Sequence, residues 1–499
     1  MPARRPRNRR PHRTGPRPPI TPSAGTAAAP HTDPRTDPQA DARTDPHTGR
    51  RGTPRTTPRT ARATTAATAA ATAALVLVTG CAGGGSAPEP GRSAPRDAPA
   101  GPVDDGGPVT PSWIATWSAS PVGAEPDTAL RGHAGRTFRN VVHTTVGGTR
   151  VRITLSNLFG ESPLTVSRAT VGRAAGADGS VSRAASGNRS LAAAEPGSLV
   201  RLTFGGSGTV TIPPGDEVTS DPAELTVPAD ADMLVSTYAP RSPAGEPGGP
   251  VTRHPSARQT SYAADGDATR DESGTRFTDS VKSWRQLVAM DVFTDRAVGA
   301  VVAFGSSLTD GMTSTTDTNR RWTDFLAGRL RGTGKPRLSV VNAGVSGNRL
   351  LRDGTGPRAL DRFERDVLGR AGVKIVVIQL GMNDILKSPR ETEPDRITDA
   401  LRKLRDQAHA HGIRVIGTTL PPFRGHKAYT EGRDSVRRSV NARLREGDVF
   451  DETVDFDRIL RDPESPSRLR SDYDSGDHLH LTDEGYAAIG RMFDVALLR

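Results

Sequence analysis

The hydrophobic rhythm of this 499-residue chain changes twice. Through the first seventy positions Arg, Pro, Thr and Asp recur in short repeats such as Thr32-Asp33-Pro34-Arg35-Thr36-Asp37-Pro38, with almost nothing apolar. Such a composition cannot offset the entropy of ordering and predicts disorder. Between 112 and 296 short alternating runs are separated by Gly, Pro and Asp clusters, the signature of strands and turns. Runs 141–146 and 149–155 flank Gly147-Gly148 and read as a β-hairpin, with Val151, Ile153 and Leu155 facing inward and Arg150, Arg152 and Thr154 outward. Further runs at 164–166, 199–204, 209–212 and 233–238 complete an all-β, sandwich-like region. After Asp295 the runs at 298–304, 338–341, 373–380 and 414–420 are almost continuously apolar, as strands covered on both faces are. Helical patterns at 321–330, 395–411, 435–445 and 483–498 alternate with them; in the last, Ile489, Phe493 and Leu497 form one apolar face. The prediction is a three-layer α/β domain with a parallel sheet over 297–499, preceded by an all-β domain over 112–296.

Charge changes the picture of the leader. The net charge is +11, but residues 1–80 hold 14 Arg, no Lys and 4 Asp, so +10 of it lies there. A nucleic-acid protein carries its positive charge on the folded surface, so no nucleic-acid partner is expected. Glycine lacks a three-residue period and no heptad run is visible, which excludes collagen-like and coiled-coil classes. No apolar stretch reaches the roughly 18 to 20 residues that span a bilayer. The leader ends in an Ala/Thr-rich run, then Leu75-Val76-Leu77-Val78-Thr79-Gly80-Cys81 and Gly- and Ser-rich sequence, which reads as a secretory signal. Val78-Thr79-Gly80-Cys81 resembles the lipobox of bacterial lipoproteins, and Cys81 is the only cysteine, so it has no internal disulfide partner. The expectation is a leader over 1–81 with lipidation at Cys81, a flexible linker over 82–111, and an extracellular or cell-surface protein tethered to the membrane.

Ligands of open α/β sheets sit beyond the carboxyl ends of the strands, so the loops there carry the candidate chemistry. The first is Gly305-Ser306-Ser307-Leu308-Thr309-Asp310-Gly311, the second Asn342-Ala343-Gly344-Val345-Ser346-Gly347-Asn348, the third Gly381-Met382-Asn383-Asp384. A serine in a Gly-bracketed turn can present its hydroxyl to a cleft, glycine lets a backbone N–H approach a developing anion, and an asparagine amide offers a donor. Taken singly, each is equally an ordinary turn. The fourth, Asp474-Ser475-Gly476-Asp477-His478-Leu479-His480, places Asp477 three residues before His480 and Ser475 three before His478. A catalytic histidine needs a partner for its tautomer, which favours His480 as a base. Two histidines at i and i+2 could instead ligate a metal, but no other His or Cys cluster supplies further ligands, so no metal or organic cofactor is expected.

With these four blocks in order, the region from about 298 to the C-terminus resembles the SGNH or GDSL hydrolase family of serine esterases and lipases. Together with the β-rich region the layout is similar to secreted two-part esterases of actinobacteria. The resemblance implies a flavodoxin-like three-layer domain, with Ser307 as nucleophile, His480 as general base and Asp477 as its orienting carboxylate. It further implies an oxyanion hole of the Ser307 and Gly344 backbone N–H groups and the Asn383 side-chain amide. Two positions depart from the family pattern: Ser306 stands where the family has Asp, making a second hydroxyl beside the first, and Leu481 stands where the family often has Pro.

The expected activity is hydrolysis of a small-molecule or polysaccharide ester through an acyl-enzyme. The alternative from another class is an inert surface lipoprotein or binding module that keeps the fold. Aromatic residues make up 4% of the chain, and Trp113, Trp117, Trp284 and Trp322 are its only tryptophans, which favours a structural role for the β-region over sugar stacking.

Overall fold

The architecture follows from which strands are covered on both faces. A computed structural model describes residues 109–129, 132–176, 192–241, 249–333 and 338–499. The leader, Cys81 and most of the linker lie outside the described residues. Five parallel strands form one sheet: β1 (Gly299–Gly305), β2 (Leu338–Gly344), β3 (Val373–Gln379), β4 (Arg414–Thr418) and β5 (Glu452–Val454), in the order β2-β1-β3-β4-β5. That is the flavodoxin-like order, whose reversal beside β1 opens a crevice at the strand ends. The helices are α1 (Ser307–Asp310), α2 (Trp322–Thr333), α3 (Ala359–Phe363), α4 (Met382–Leu386), α5 (Pro394–His409), α6 (Glu431–Glu446), α7 (Phe456–Leu460) and α8 (Asp483–Met492). Alternate strand residues split between two cores. Val301, Ala303, Val340 and Val377 pack with Trp322, Leu326, Phe456 and Ile489 from α2, α7 and α8. Val302, Phe304, Val376 and Ile378 pack with Phe363, Leu401 and Val440 from α3, α5 and α6.

The last helix is shorter than its periodicity predicts. α8 stops at Met492, Phe493 leaves the helical region, and Asp494 caps a separate 3-10 turn, Val495–Leu498, by accepting from the Ala496 N–H. Phe493 is still fully buried, because it stacks on Trp322 with ring centroids 6.3 Å apart.

The β-region is built mainly of two antiparallel sheets, one of five and one of six strands. Its first strand, Ser112–Ser118, pairs with its last, Leu287–Thr294, so the chain enters and leaves the region side by side. The expected hairpin around Gly147-Gly148 does not form. Arg136–His143 pairs with Asp232–Ala239 and Ser261–Asp265 in the six-stranded sheet, whereas Gly148–Ser156 pairs with Leu287–Thr294 and Ala223–Val227 in the other. A two-residue hairpin of the expected type needs positive φ at both glycines, and neither is among the positive-φ residues. They serve close packing instead: a Cβ at Gly147 would lie 2.5 Å from the Val227 carbonyl oxygen, and one at Gly148 2.6 Å from that of Phe293. The inward and outward faces follow the alternation, with Val151, Ile153 and Leu155 fully buried.

All described residues fall within one compact unit, Pro88–Arg499. The β-region packs beside β2, the edge strand of the parallel sheet, and shields an edge that would otherwise be open. Ser339 donates to the Ala115 carbonyl at 2.7 Å, Ser118 to that of Asn342 at 2.8 Å, and the Ala115 N–H to that of Ala371 at 2.9 Å. Ile114, Trp117 and Met290 belong to the same apolar cluster as Val302 and Ile378.

Candidate active site

β1 ends at Gly305, where a Cβ would come within 2.1 Å of Thr309 Oγ1, so the chain folds back into α1 as tightly as only glycine permits. Ser307 opens α1 and is partly exposed, and its Oγ lies 2.9 Å from His480 Nε2. His480 Nδ1 lies 2.5 Å from Asp477 Oδ2. The carboxylate-facing Nδ1 carries the proton, which leaves Nε2 to accept from the Ser307 hydroxyl. Asp477 Oδ1 also accepts from the N–H groups of His480 at 2.8 Å and Leu479 at 3.0 Å. Burial opposes the charge of Asp477, but these bonds and His480 outweigh it and hold the carboxyl at about 2. Asp477 and His480 are thus assembled on one turn, and the fold brings Ser307 to them across 173 positions.

The second hydroxyl, Ser306, points elsewhere. It is buried, its N–H donates to the Gln379 carbonyl at 3.2 Å, and its Oγ faces Gln379 Oε1 on β3 at 3.5 Å. His478 has a carboxylate of its own that the three-residue spacing did not reveal: its Nδ1 lies 2.5 Å from Asp474 Oδ2, four residues back. What distinguishes His480 is its contact with Ser307, not possession of an acidic partner. A third histidine, His426, stands close enough to feel the charges of Asp477 and His480; burial lowers its pKa, and its Nδ1 accepts from the Ala428 N–H at 3.2 Å.

Of the expected anion-binding donors, the Ser307 N–H has no partner among the described residues. The Gly344 expectation needs correction. Its N–H already donates to Asn342 Oδ1 at 2.8 Å, and a Cβ there would lie 2.3 Å from the Asp310 backbone nitrogen. Gly344 therefore lets β2 and α1 approach each other, and its donor is spent. Gly347, three residues on, has φ +80° and an N–H without a partner among the described residues. Asn383 gives one amide hydrogen to the Asn348 carbonyl at 3.0 Å and keeps the other. Its neighbour Asp384, fully buried, accepts from the N–H groups of Leu350 at 2.8 Å and Leu351 at 3.0 Å and ties the loop after β2 to α4. Burial raises the pKa of Asp384 against the opposing pull of those two bonds.

Three supporting residues carried no signal in the sequence. Asn342 Nδ2 donates to the Thr309 carbonyl at 2.5 Å, linking β2 to α1. Arg362, on α3 and fully buried, donates to Asn348 Oδ1, the Gly305 and Ala343 carbonyls and Asp366 Oδ2 at 2.9 to 3.0 Å, and to Ser120 Oγ at 3.3 Å. Asp310 Oδ2 accepts from the N–H of Ser346 at 2.9 Å and from its hydroxyl at 2.5 Å.

The model of the GDSL-like lipase/acylhydrolase family matches residues 303–488, from the end of β1 into α8. This part of the chain belongs to that hydrolase family. Among solved structures, the GDSL-family segment is similar to a carbohydrate acetylesterase from Sinorhizobium meliloti at 19% identity, covering 40% of this chain and 100% of that one with a TM-score of 0.33. An aryl esterase from M. smegmatis matches at 20% identity, 40% and 96% coverage and a TM-score of 0.32. A GDSL-like lipase from Bacteroides thetaiotaomicron matches at 21% identity, 40% and 87% coverage and a TM-score of 0.29. No curated protein matches the chain.

Proposed function

We propose that the protein is an exported serine ester hydrolase working through Ser307, His480 and Asp477 and a covalent acyl-enzyme. The observation that carries this reading is the continuous series from Ser307 Oγ to His480 Nε2 at 2.9 Å and from His480 Nδ1 to Asp477 Oδ2 at 2.5 Å. A serine hydroxyl is a poor nucleophile until a base takes its proton. Ser307 Oγ attacks the ester carbonyl carbon as His480 Nε2 accepts the proton, and Asp477 stabilises the imidazolium. The carbonyl oxygen becomes an anion facing the N–H groups of Ser307 and Gly347 and the free amide hydrogen of Asn383. Collapse of the tetrahedral intermediate breaks the ester C–O bond, and His480 returns its proton to the departing alcohol. Water, deprotonated by the same nitrogen, then attacks the acyl-serine and releases the acid and the free hydroxyl. General base catalysis contributes roughly 100- to 10,000-fold, and each anion donor roughly 100- to 1,000-fold.

Acyl groups on small molecules or carbohydrates are the substrate class, and the leader with Cys81 supports export followed by lipid anchoring at the cell surface. Hydrolysis of a short-chain chromogenic ester by wild type and Ser307→Ala tests the reading; loss of turnover in the variant is expected, and equal rates would reject it. Mass spectrometry of the mature N-terminus tests the anchor, with a diacylglyceryl-modified Cys81 expected and an unmodified or absent Cys81 contradicting it.

A further inference from the structure

His254 lies on the short strand Thr252–His254 of the β-region, is almost fully buried, and reaches into the hydrolase part. Its Nδ1 is 2.7 Å from the Ser120 carbonyl oxygen and its Nε2 is 3.0 Å from Asp310 Oδ1. Both neighbours are acceptors, so both ring nitrogens donate and the ring is an imidazolium. Asp310 closes α1, three residues after Ser307, and its other oxygen holds the N–H and hydroxyl of Ser346, the residue before Gly347. One buried carboxylate therefore ties together the turn that presents Ser307, the turn that presents the Gly347 N–H, and a cation from the β-region.

We propose that His254 is a positioning residue of the active site, so that the β-region is part of the catalytic unit and more than a cover for the sheet edge. This rests on the hydrolase reading above. Without the imidazolium, Asp310 is a buried carboxylate lacking its charge partner, and such a group recruits water or shifts to a new partner. Either response moves α1 against the Ser346–Gly347 turn, and misplacement of about 1 Å in reacting groups costs roughly 100-fold in rate.

The surroundings of His254 are consistent with a charged ring. Burial pulls its pKa down, but Asp310 and the hydrogen bonds to Asp310 and the Ser120 carbonyl outweigh burial and the repulsion of Arg321, leaving it above the ordinary histidine value. Arg321 is itself paired with Asp324 at 3.2 Å, and the Trp284 ring lies 5.4 Å from the imidazole. His143, which lines the same small cavity at the seam, is paired with Asp230 and Asp232. A raised pKa means that the pair's contribution is fully present below the ordinary histidine value and is lost as pH rises through the raised value.

The test uses the full chain as wild type, His254→Gln, Ser346→Ala and Ser339→Ala, with kcat and KM for a short-chain ester, the rate of Ser307 labelling by a fluorophosphonate, and Tm. Ser339 donates across the same seam to Ala115 without touching Asp310. His254→Gln is expected to lower kcat and the labelling rate roughly 10- to 100-fold with KM within about twofold, and Ser346→Ala to lower kcat in the same direction. Ser339→Ala should lower Tm and leave kcat alone. Should His254→Gln fail to fold, Ser346→Ala against Ser339→Ala decides on kcat. The proposal is overturned if His254→Gln or, in that event, Ser346→Ala keeps wild-type kcat, or if Ser339→Ala loses kcat equally. A wild type that neither turns over ester nor labels at Ser307 would reject the hydrolase reading itself.

Discussion

Replacing Arg362 by Met removes the cation on which the loop after β2, the end of β1 and α3 converge. Five hydrogen bonds disappear, together with a contact between the guanidinium and the face of Phe304 at 4.1 Å. The losses are unequal. The Gly305 carbonyl still accepts from the Val345 N–H at 3.0 Å, and Asp366 still holds Arg365 at 2.6 and 2.9 Å. Asn348 Oδ1 loses its only partner among the described residues. Truncating one member of a buried ion pair costs roughly 3 to 5 kcal/mol, and because Asp366 stays paired the cost belongs at the lower end, about 3 kcal/mol. With an unfolding entropy of about 2.1 cal/mol/K per residue over roughly 360 folded residues, that becomes a Tm loss of ~4 °C by calorimetry. Turnover should fall as well, because the Asn348 carbonyl holds the Asn383 amide and Arg362 holds the Asn348 side chain. Arg362→Lys, which keeps the charge without the fork, should fall between the two. A variant Arg362→Met with Tm and kcat both unchanged would refute the assignment of Arg362 as the tie between fold and site.

Asn383→Ala should lower kcat roughly 100- to 1,000-fold, since a donor aimed at the developing anion is lost, and should also lower Tm slightly, since the buried bond to the Asn348 carbonyl goes with it; steady-state kinetics with a short-chain ester and thermal melts measure the two effects. Gly344→Ala should impair folding, because its Cβ would sit 2.3 Å from the Asp310 backbone; circular dichroism and thermal melts measure it. Burial pushes the Asp366 carboxyl up, but Arg365, Arg362 and Arg370 outweigh it and hold it at about 2. Its folded pKa is depressed, so its contribution is present above the unfolded value and is lost as pH falls from about 4 to about 2. Unfolding free energies from denaturant titrations at pH 5 and pH 2.5 should differ by an amount that Asp366→Asn reduces by about 2 kcal/mol.

The parts of the fold that could be read from the chain are those whose signal is local. The runs at 298–304, 373–380 and 414–420 mark β1, β3 and β4 because burial on both faces leaves few polar positions. β5 spans only Glu452–Val454, too short to make a run. Alternation in 149–155 gave the faces of that strand but not its partners, since pairing depends on residues more than sixty positions away. The site divides in the same way. Asp477 and His480 share one turn and could be recognised together, while Gly344 and Gly347 look alike until hydrogen bonding shows that one donor is already used. Asp310 and His254 are 56 positions apart in different parts of the fold, and nothing in either segment announces the other.

Intact-protein mass after reaction with a fluorophosphonate, followed by peptide mapping of wild type, Ser307→Ala and His480→Ala, tests the central claim most directly. The account predicts a single adduct on Ser307 in wild type, none in Ser307→Ala, and labelling slowed by roughly 100-fold or more in His480→Ala. An adduct on Ser306, or one that persists undiminished in Ser307→Ala, would contradict it.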